Sequence, residues 1–417
     1  MKKCIICLIL GLFLGFMLPN VASSQDTVKI GILYPMTGPL AFIGQECMRA
    51  AQIARDIVNR EGGVWGKKVE FVMGDELNPQ TAMAEAERLI TLQKLKLISG
   101  GYSSSNSYAA SDVCEKNKAI FWITTAVGDP ITARGYKYLF RLNSRASQWG
   151  ITTADFLAEI AAPKLGIKPS DFKLAIIHED SLFGTSITED CTKRAKELGM
   201  KVVETIAYSH KTVDLSSEIM RLKGANPDGI VSIHYANDGN LLYSQMKEMN
   251  LNVKVLVGSI FFGLQEFQQK FGKLVNYVCV VDPPTPVLSK ILKPPAAKIL
   301  DEFRDTFYKN YKIAPGDPGF TSFGGTYVLL KYLLPKAKSM DPEAIRKAAL
   351  ELDIEDLTTP YAFGVKFAPP GHAHAGTNLR AYPAIMQWQN EKMDIVYPKK
   401  LAANEVMLPM PTWGERK

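Results

Sequence analysis

The chain has 417 residues, of which 47% are hydrophobic and 22% charged, and these proportions exclude a disordered, collagen-like or multi-span membrane protein. Its length is greater than one core usually accommodates, so we expect two domains. The formal net charge is +7, but no run of five or more like charges occurs, so we expect no nucleic-acid partner.

The N-terminal segment has the order of a secretory signal peptide. Two lysines precede an apolar run over residues 4–18, a proline and an asparagine follow, and small residues occupy positions 22–24. We therefore expect residues 1–24 to be cleaved near positions 22–25, which leaves an exported, soluble chain. The apolar run is shorter than the roughly 20 residues that a membrane-spanning helix needs, and an uncleaved anchor is the alternative.

Four cysteines remain after the expected cleavage, and none lies at the cleavage site, where a lipid could be attached. Export permits disulfides, and four cysteines allow three pairings, whereas a domain of this size also folds with buried free thiols. The sequence leaves both alternatives open for Cys47, Cys114, Cys191 and Cys279.

From position 28 onward, short apolar runs alternate with longer amphipathic stretches. Most of the runs are continuous rather than alternating, which is typical of strands buried on both faces. A regular strand–helix order predicts an α/β protein with parallel sheets flanked by helices. The predicted strands are residues 28–34, 69–74, 96–101, 119–125, 173–178, 201–208, 229–235, 253–258 and 275–281.

The later part of the chain changes character after the last predicted strand. A proline-rich stretch follows at 282–286, and three helical patterns then occur without strands between them. Helices without strands of their own are expected to pack on a sheet already built. We therefore predict two lobes, with crossings near 143–147, 282–286 and 355–365. The predicted first lobe is residues 25–145 with 284–358, the second is 146–283 with 359–396, and 397–417 is a C-terminal tail.

The motifs of common enzymes are absent from the sequence. There is no G-x-S-x-G elbow, no phosphate loop ending in G-K-[ST] and no G-x-G-x-x-G after a predicted strand. His372 and His374 form an H-x-H in a Gly/Pro/Ala loop, which is a weak metal signal without further ligands. The acidic pair Glu179–Asp180 follows a strand, where helix capping and solvation are its expected roles. We expect no catalysis, no cofactor and no metal.

Ligands of open parallel sheets bind beyond the carboxyl ends of the strands. In the first lobe the loops there are rich in glycine and hydroxyl side chains, and Ser103–Ser105 is a candidate carboxylate cradle. The alternative is that these serines only cap a helix. In the second lobe the corresponding loops carry aromatic residues. One polar and one aromatic face would suit an amphipathic small molecule held between the lobes.

Six segments stand out along the chain: TVKIGILYPMTGPLAFIG, IVNREGGVWGKKVEF, GGYSSS, DPITARGY, KLAIIHEDSLFG and FAPPGH. In this order and spacing they resemble the leucine/isoleucine/valine-binding family of type I periplasmic solute-binding proteins of ABC importers. The resemblance implies a two-lobed clamp, each lobe a parallel-type sheet flanked by helices, that delivers a solute to a membrane permease. It also implies that the ligand carboxylate is bound at Ser104, Thr125 and Val127, and that Phe183 and Tyr235 supply aromatic contacts.

One departure from this family concerns the ligand's amine. Amino-acid binders of the family carry an acid after the strand that matches 253–258, but here residues 259–262 read Ser-Ile-Phe-Phe. An ammonium buried without a partner costs several kcal/mol. Asp180, Asp238 or Asp282 could substitute. The ligand is therefore either a branched-chain or other hydrophobic amino acid, or an aromatic or hydrophobic acid without an amine.

The complete expectation is a monomeric periplasmic carrier that binds a small carboxylate and docks on permease subunits. The alternatives are an exported ligand-sensing domain of a receptor or regulator, and a hydrolase on an α/β frame, which would need an activated nucleophile. The predicted ligand-binding residues are Tyr102, Ser103, Ser104, Thr125, Val127, Phe42, Phe183, Tyr235, Phe261 and Asp180.

Overall fold

Two β-sheets form the framework of the chain, of which a computed structural model describes residues 27–416. The strands of the first sheet are β1 (Val28–Tyr34), β2 (Val69–Asp75), β3 (Leu97–Gly100), β4 (Ile120–Ile123) and β5 (Leu139–Arg141). They lie in the order β2-β1-β3-β4-β5, and all neighbouring pairs are parallel. The expected signal peptide, residues 1–24, lies outside the described residues.

The second sheet is larger and mixed. Its strands are β6 (Lys173–Glu179), β7 (Lys201–Tyr208), β8 (Gly229–Ile233), β9 (Val255–Gly258), β10 (Cys279–Asp282), β11 (Ala384–Gln389) and β12 (Lys392–Tyr397). The order is β12-β11-β10-β9-β8-β6-β7. Strands β6 to β10 pair in parallel, whereas β11 is antiparallel to both β10 and β12. The sequence patterns did not predict the β11–β12 hairpin.

Helices connect the strands and cover both faces of the sheets. Strands β4 and β8 are buried along their whole length, as their continuous apolar runs predict. The helices are α1 (Ala41–Arg60), α2 (Pro79–Glu87), α3 (Ser104–Lys116), α4 (Ala146–Phe156), α5 (Ala162–Lys164), α6 (Leu182–Glu197), α7 (Ser216–Ala225), α8 (Ala236–Glu248), α9 (Gln265–Phe271), α10 (Thr285–Leu288), α11 (Pro294–Tyr311), α12 (Asp317–Val328), α13 (Leu334–Ala337) and α14 (Pro342–Leu350).

We call the first sheet and the helices packed on it the first lobe, and the second sheet with its helices the second lobe. The chain passes from the first lobe to the second at residues 142–145, because α4 packs against α6. It returns at 283–284, because α11 and α12 pack against α1. Helix α12 is buried on every side, and its Gly325 carbonyl accepts the indole N–H of Trp122 in β4 at 3.0 Å, so it contacts the first sheet.

The third crossing lies later than the sequence predicted. Residues 359–378 were expected in the second lobe, but they are hydrogen-bonded to β5 of the first: Arg141 N–H donates to Gly376 O at 2.8 Å, and Asn378 N–H donates to Arg141 O at 2.9 Å. The Phe367 ring also packs edge-on against Phe140, with centroids 5.0 Å apart. The predicted crossing at 355–365 is therefore wrong, and the chain crosses at 379–383.

The C-terminal tail is tied to the second lobe. Met410 N–H donates to Lys254 O at 2.8 Å, and the Trp413 indole donates to Leu251 O at 2.8 Å. Near the end of the chain, Arg416 is only 6% exposed and its guanidinium donates to the Tyr243 hydroxyl at 3.2 Å. The tail is therefore an integral part of this lobe.

The open question about the cysteines is resolved in favour of free thiols. All four cysteines of the described chain are buried and unpaired. Burial raises the pKa of each thiol, to about 12 for Cys191, so they pack as small apolar groups. Within residues 27–416, no helix combines the length and the apolar character that crossing a bilayer would require.

Candidate functional site

A narrow cavity lies between the two lobes, with about 20 Å³ of space open to a water-sized molecule. It sits beyond the carboxyl ends of β3, β4, β8, β9 and β10, where the topology of parallel sheets predicts a ligand. Three kinds of surface line it: a polar wall from the first lobe, an aromatic wall from the second, and a pair of carboxyl groups. The polar wall consists of Tyr102, Ser104, Thr125, Ala126, Val127 and Asn143.

The polar wall is built on the N-terminus of α3. Ser103 is the cap of this helix, and its hydroxyl accepts the Asn106 N–H at 3.5 Å. The next hydroxyl, that of Ser104, accepts the Gly128 N–H at 3.1 Å and so ties the helix to the neighbouring loop. Beneath them, the buried Glu76 carboxyl accepts the Tyr102 N–H at 2.8 Å. Burial raises the pKa of Glu76 to about 8.

A buried guanidinium orients the loop after β4. Arg141 is fully buried and donates to the carbonyls of Val127, at 2.9 Å, and Gly128, at 2.7 Å. The Asn143 amide donates to the Thr125 carbonyl at 2.9 Å. These carbonyls are thus engaged by the protein, whereas the N–H groups of Thr125 and Val127 have no acceptor in the described part of the chain. Backbone N–H groups left free beside a helix N-terminus favour an anion.

The aromatic wall is a continuous row of rings. Phe183 stacks on Tyr235 with centroids 5.1 Å apart, and the edge of Trp149 meets Phe183 at 5.9 Å. Tyr102 of the opposite lobe closes the row at 5.9 Å from Tyr235. The Trp149 indole donates to Ser144 Oγ at 2.9 Å, which fixes its ring. Such a wall accommodates an aliphatic or aromatic body.

Two carboxyl groups, those of Asp282 and Asp317, complete the lining. Asp282 ends β10 and Asp317 begins α12, and the two residues are 1% and 6% exposed. Each has one buried oxygen without a hydrogen-bond partner in the described chain, and the Tyr102 hydroxyl is also unpartnered. Burial raises the pKa of both carboxyls well above their usual range; for Asp317, the neighbouring Asp282 and Glu46 raise it further.

The structure brings together six of the ten residues predicted to bind ligand. These six line the cavity, although their contact with a ligand remains a prediction: Tyr102, Ser104, Thr125, Val127, Phe183 and Tyr235. Of the three acids suggested as substitutes for the missing one, Asp282 lines the cavity. Asp238 is buried in α8, where it accepts the Tyr208 hydroxyl at 2.7 Å.

The other four predicted residues lie outside the cavity, each for a local reason. Ser103 caps α3 and faces a neighbouring groove. Phe42 lies in the first turn of α1 and is 47% exposed. The Phe261 ring packs into the core of the second lobe, 5.4 Å from Phe267, and its neighbour Ile260 lines the cavity instead. Asp180 points to solvent because the adjacent Glu179 points inward.

Sequence reasoning missed six of the lining residues. Asn143 and Trp149 lie at the first crossing, where no strand pattern marks the site, and Asp317 begins a helix remote in sequence from every predicted loop. Its only local signal is Asp317-Pro318 at a helix start, which is also common in ordinary helices. The missed residues are Ala126, Asn143, Trp149, Ile260, Asp317 and Pro318.

One group of potential metal ligands consists of Glu179, Asp180 and His210, and the His210 ring packs edge-on against Tyr235 at 5.7 Å. The Glu179 carboxylate, however, already accepts the Ser181 hydroxyl at 2.7 Å and the Gly184 N–H at 2.6 Å. It therefore supports the start of α6, whose N-cap is Ser181. In the His372–His374 loop, the His374 N–H donates to His372 Nδ1 at 3.0 Å, which uses one ring nitrogen within the loop.

Residues 27–384 match the family described as periplasmic binding protein. The "Leu/Ile/Val-binding protein homolog 7" of Brucella suis biovar 1 is 33% identical over 404 residues, which cover 96% of this chain and 99% of the relative. At this identity and coverage, the family assignment is secure over the whole described fold.

Solved structures show the same fold at lower identity. The branched-chain amino acid transporter substrate binding protein LivJ from Streptococcus pneumoniae, in complex with isoleucine, superimposes with a TM-score of 0.73 and 21% identity, over 92% of this chain and 100% of that one. A solute binding protein of an ABC transporter from Rhodopseudomonas palustris BisB5, in complex with 3,4-dihydroxy benzoic acid, superimposes with a TM-score of 0.73. Its sequence identity is 21%, over 88% of this chain and 94% of that one.

These likenesses confirm the type I fold predicted from the sequence segments. The chain belongs to the periplasmic binding protein family, in its Leu/Ile/Val-binding branch of ABC-transporter solute-binding proteins.

Proposed function

We propose that this chain captures a small carboxylate-bearing solute with a hydrophobic or aromatic body in the periplasm and delivers it to the permease subunits of an ABC importer. The observation that carries the proposal is the cavity itself. Thr125 and Val127, whose N–H groups have no acceptor in the described chain, line it from one lobe, and a row of aromatic rings lines it from the other. A carboxylate at the first wall and an apolar body at the second would satisfy both.

The names of similar proteins agree with this ligand class. The relatives are named for leucine, isoleucine and valine, one structural neighbour holds isoleucine, and another holds 3,4-dihydroxy benzoic acid. All of these molecules join a carboxylate to an apolar or aromatic body. Both alternatives raised by the sequence, an amino acid and an acid without an amine, are therefore represented among them.

Capture requires that the lobes close on the solute. Two hydrogen bonds link the lobes across the mouth: the Leu182 N–H donates to Ser105 Oγ at 3.2 Å, and the Asn237 amide donates to Pro39 O at 3.0 Å. A ligand that contacts both walls stabilises this closed arrangement relative to an open one. The permease would then distinguish the loaded protein by its shape.

Calorimetric titration of protein freed of bound solute tests the proposal, with leucine, isoleucine, phenylalanine and benzoate as probes. We expect at least one to bind, and Phe183→Ala to weaken that binding about tenfold, because the stacked ring is lost. Phe42→Ala is the matched control, since that ring lies outside the cavity and its removal should change affinity less than about twofold. Absence of binding by all four probes, or equal losses in the two variants, would contradict the proposal.

Delivery is tested separately in cells. Deleting the gene should abolish high-affinity uptake of the radiolabelled solute that binds in calorimetry, and the wild-type gene should restore it. Restoration by Phe42→Ala but not by Phe183→Ala would link uptake to the cavity. Uptake unchanged by the deletion would contradict a role in import and would favour a sensing role instead.

A further inference from the structure

We propose that Glu179, Asp180 and His210 form a site for one divalent transition-metal ion, such as Zn²⁺. All three residues belong to the second lobe, and none of them lines the solute cavity. The inference therefore goes beyond solute capture and does not depend on which solute is bound. It also reverses the expectation of no metal, because the sequence places these residues in two separate loops.

The second sheet brings the three side chains together at the carboxyl ends of two paired strands. Glu179 is the last residue of β6, and its partner across the ladder is Tyr208, the last residue of β7. The chain bends at Asp180, whose N–H donates to Tyr208 O at 2.8 Å, and His210 lies two residues after Tyr208. One potential ligand atom from each side chain lies within 4.8 Å of the other two.

The first argument is the position of the His210 ring. Its Nδ1 atom is buried and has no hydrogen-bond partner in the described chain. It lies 3.7 Å from Glu179 Oε2, which is too long for a hydrogen bond. Zinc binds imidazole nitrogen and carboxylate oxygen at about 2.0–2.2 Å, so one ion can contact both atoms across this gap. The separation therefore suits a shared ion better than a direct contact.

The second argument is the bonding capacity left on Glu179. Its Oε1 accepts the Ser181 hydroxyl and the Gly184 N–H, whereas Oε2 accepts only the Ser181 N–H, at 2.8 Å, among the described residues. Each carboxylate oxygen has two lone pairs, so Oε2 keeps one for an ion. The bonds that support the start of α6 also hold the carboxylate in a fixed orientation, as hydrogen bonds to metal-binding carboxylates commonly do.

The third argument is the local excess of carboxyl groups. Burial raises the pKa of Glu179 to about 7, and the nearby Asp238 acts in the same direction. Asp238 is itself 2% exposed, and its Oδ1 has no partner in the described chain. Within residues 27–416, no lysine or arginine, Lys211 included, forms an ion pair with Glu179, Asp180 or Asp238. A bound cation would supply the missing positive charge.

The set of ligand atoms indicates the kind of ion. One imidazole and two carboxylates suit Zn²⁺ and its first-row neighbours, whereas Ca²⁺ and Mg²⁺ prefer oxygen ligands alone. Solvent reaches the site from two sides, because Asp180 is exposed and His210 lines the groove that Ser103 faces. The exposed Asp180 side chain can turn toward an ion held by the other two residues.

Calorimetric titration of Zn²⁺ into untagged protein, freed of metal with a chelator, tests the site. We expect one ion per chain with a Kd of about 10 μM or tighter, because three protein ligands contribute. Ca²⁺ should bind about a hundredfold more weakly, since imidazole is a poor ligand for it. Co²⁺ in place of Zn²⁺ should give a visible absorption band that reports its ligands directly.

Substitutions assign the ion to these residues. His210→Ala and Asp180→Asn should each weaken Zn²⁺ binding by about tenfold or more, and His210→Ala should remove the Co²⁺ band. The matched control is the double variant His372→Ala/His374→Ala, which removes the H-x-H pair of the first lobe and should change the affinity by less than about twofold. Both test positions lie outside helices and strands, and circular dichroism confirms that each variant is folded.

Three results would overturn the site. A Kd weaker than about 100 μM, or equal affinities of the wild type and His210→Ala, would mean an adventitious ion only. Loss of binding in the double variant would place the ion in the His372–His374 loop instead. Ca²⁺ binding as tight as that of Zn²⁺ would exclude His210 as a ligand. Solute capture would stand in each case, because the titrations with leucine, isoleucine, phenylalanine and benzoate test it separately.

Discussion

Arg141 is a buried cation whose hydrogen-bond partners are all neutral: two loop carbonyls and the hydroxyl of Thr377. Burial lowers its pKa to about 10, so it remains charged at neutral pH. It joins the loop after β4 to residues 359–378, a segment that returns to the first lobe late in the chain. This one side chain thus joins the polar wall to that segment.

Replacing this guanidinium should lower the stability of the protein. Arg141→Met leaves two carbonyls without their donor, so we expect the free energy of unfolding to fall by about 2–4 kcal/mol in chemical denaturation. The loss of unfolding free energy in Arg141→Lys should be smaller than in Arg141→Met but not zero, because an ammonium cannot reach all three acceptors. Arg221→Met, which removes an exposed ion pair with Glu204, should cost less than about 1 kcal/mol. Equal effects of Arg141→Met and Arg221→Met would contradict this role.

Glu76 gives a prediction about pH. Its pKa is raised by burial to about 8, above the value near 4.5 of an exposed glutamate, so the folded protein holds a proton that the unfolded chain loses. This group therefore lowers stability as pH rises from about 4.5 to 8, by up to about 1.4 kcal/mol per pH unit. In denaturant titrations at pH 5 and pH 8, Glu76→Gln should lose less stability than the wild type. If the wild type lost no more stability between pH 5 and pH 8 than Glu76→Gln does, the prediction would be contradicted.

At the scale of elements, a side chain of one helix caps another. The Glu46 carboxyl, on α1, accepts the N–H groups of Gly316 at 2.9 Å and Gly319 at 3.0 Å, both at the start of α12. This contact sets the position of the helix end that carries Asp317. Because α12 itself has no side-chain cap, the contact replaces the usual local one.

Removal of this cap should loosen the start of α12. We expect Glu46→Ala to lower the free energy of unfolding by about 1–2 kcal/mol, and Glu46→Gln, which keeps an acceptor oxygen, by clearly less. Chemical denaturation at one pH measures both. Glu266→Ala, in the first turn of α9, is an exposed control for loss of a carboxylate. If Glu46→Gln were as costly as Glu46→Ala, the acceptor role would be wrong.

The elements that the sequence predicted are those with long, continuous patterns, and every predicted apolar run contains a strand. The β11–β12 hairpin escaped because its turn is atypical: Asn390 and Glu391 both have positive φ, of 51° and 61°, where glycine commonly occupies the second position. The third crossing was misplaced because residues 359–378 attach through isolated bridges that have no strand pattern.

The site was predictable at or just after the end of a predicted strand, as for Ser104, Thr125 and Tyr235. Prediction failed by one position at Phe261, because a 3₁₀ turn after β9 places Ile260 at the cavity instead. It failed completely at Asp317, since only tertiary packing of α12 on α1 brings that carboxyl to the cavity. Local sequence contains no information about that contact.

At the scale of the whole molecule, ligand binding should change the shape. We expect the radius of gyration from small-angle scattering to decrease when a binding probe from the calorimetric panel is added, because the lobes close around it. The double variant Ser105→Ala/Asn237→Ala lacks both hydrogen bonds across the mouth, and it should bind about threefold to tenfold more weakly. Ser217→Ala, an exposed hydroxyl on α7, should bind as the wild type does. A radius unaffected by ligand would contradict closure.

The three crossings also have a consequence for how the protein is made. Residues that cover the first sheet, from α11 to Phe367, are synthesised only after five strands of the second sheet. Until they emerge from the ribosome, the rings of Trp122 and Phe140 lack their contacts with Phe367. A nascent chain ending near residue 283 would therefore expose apolar surface. Chaperones that shield such surface should bind it far longer than they bind the finished polypeptide.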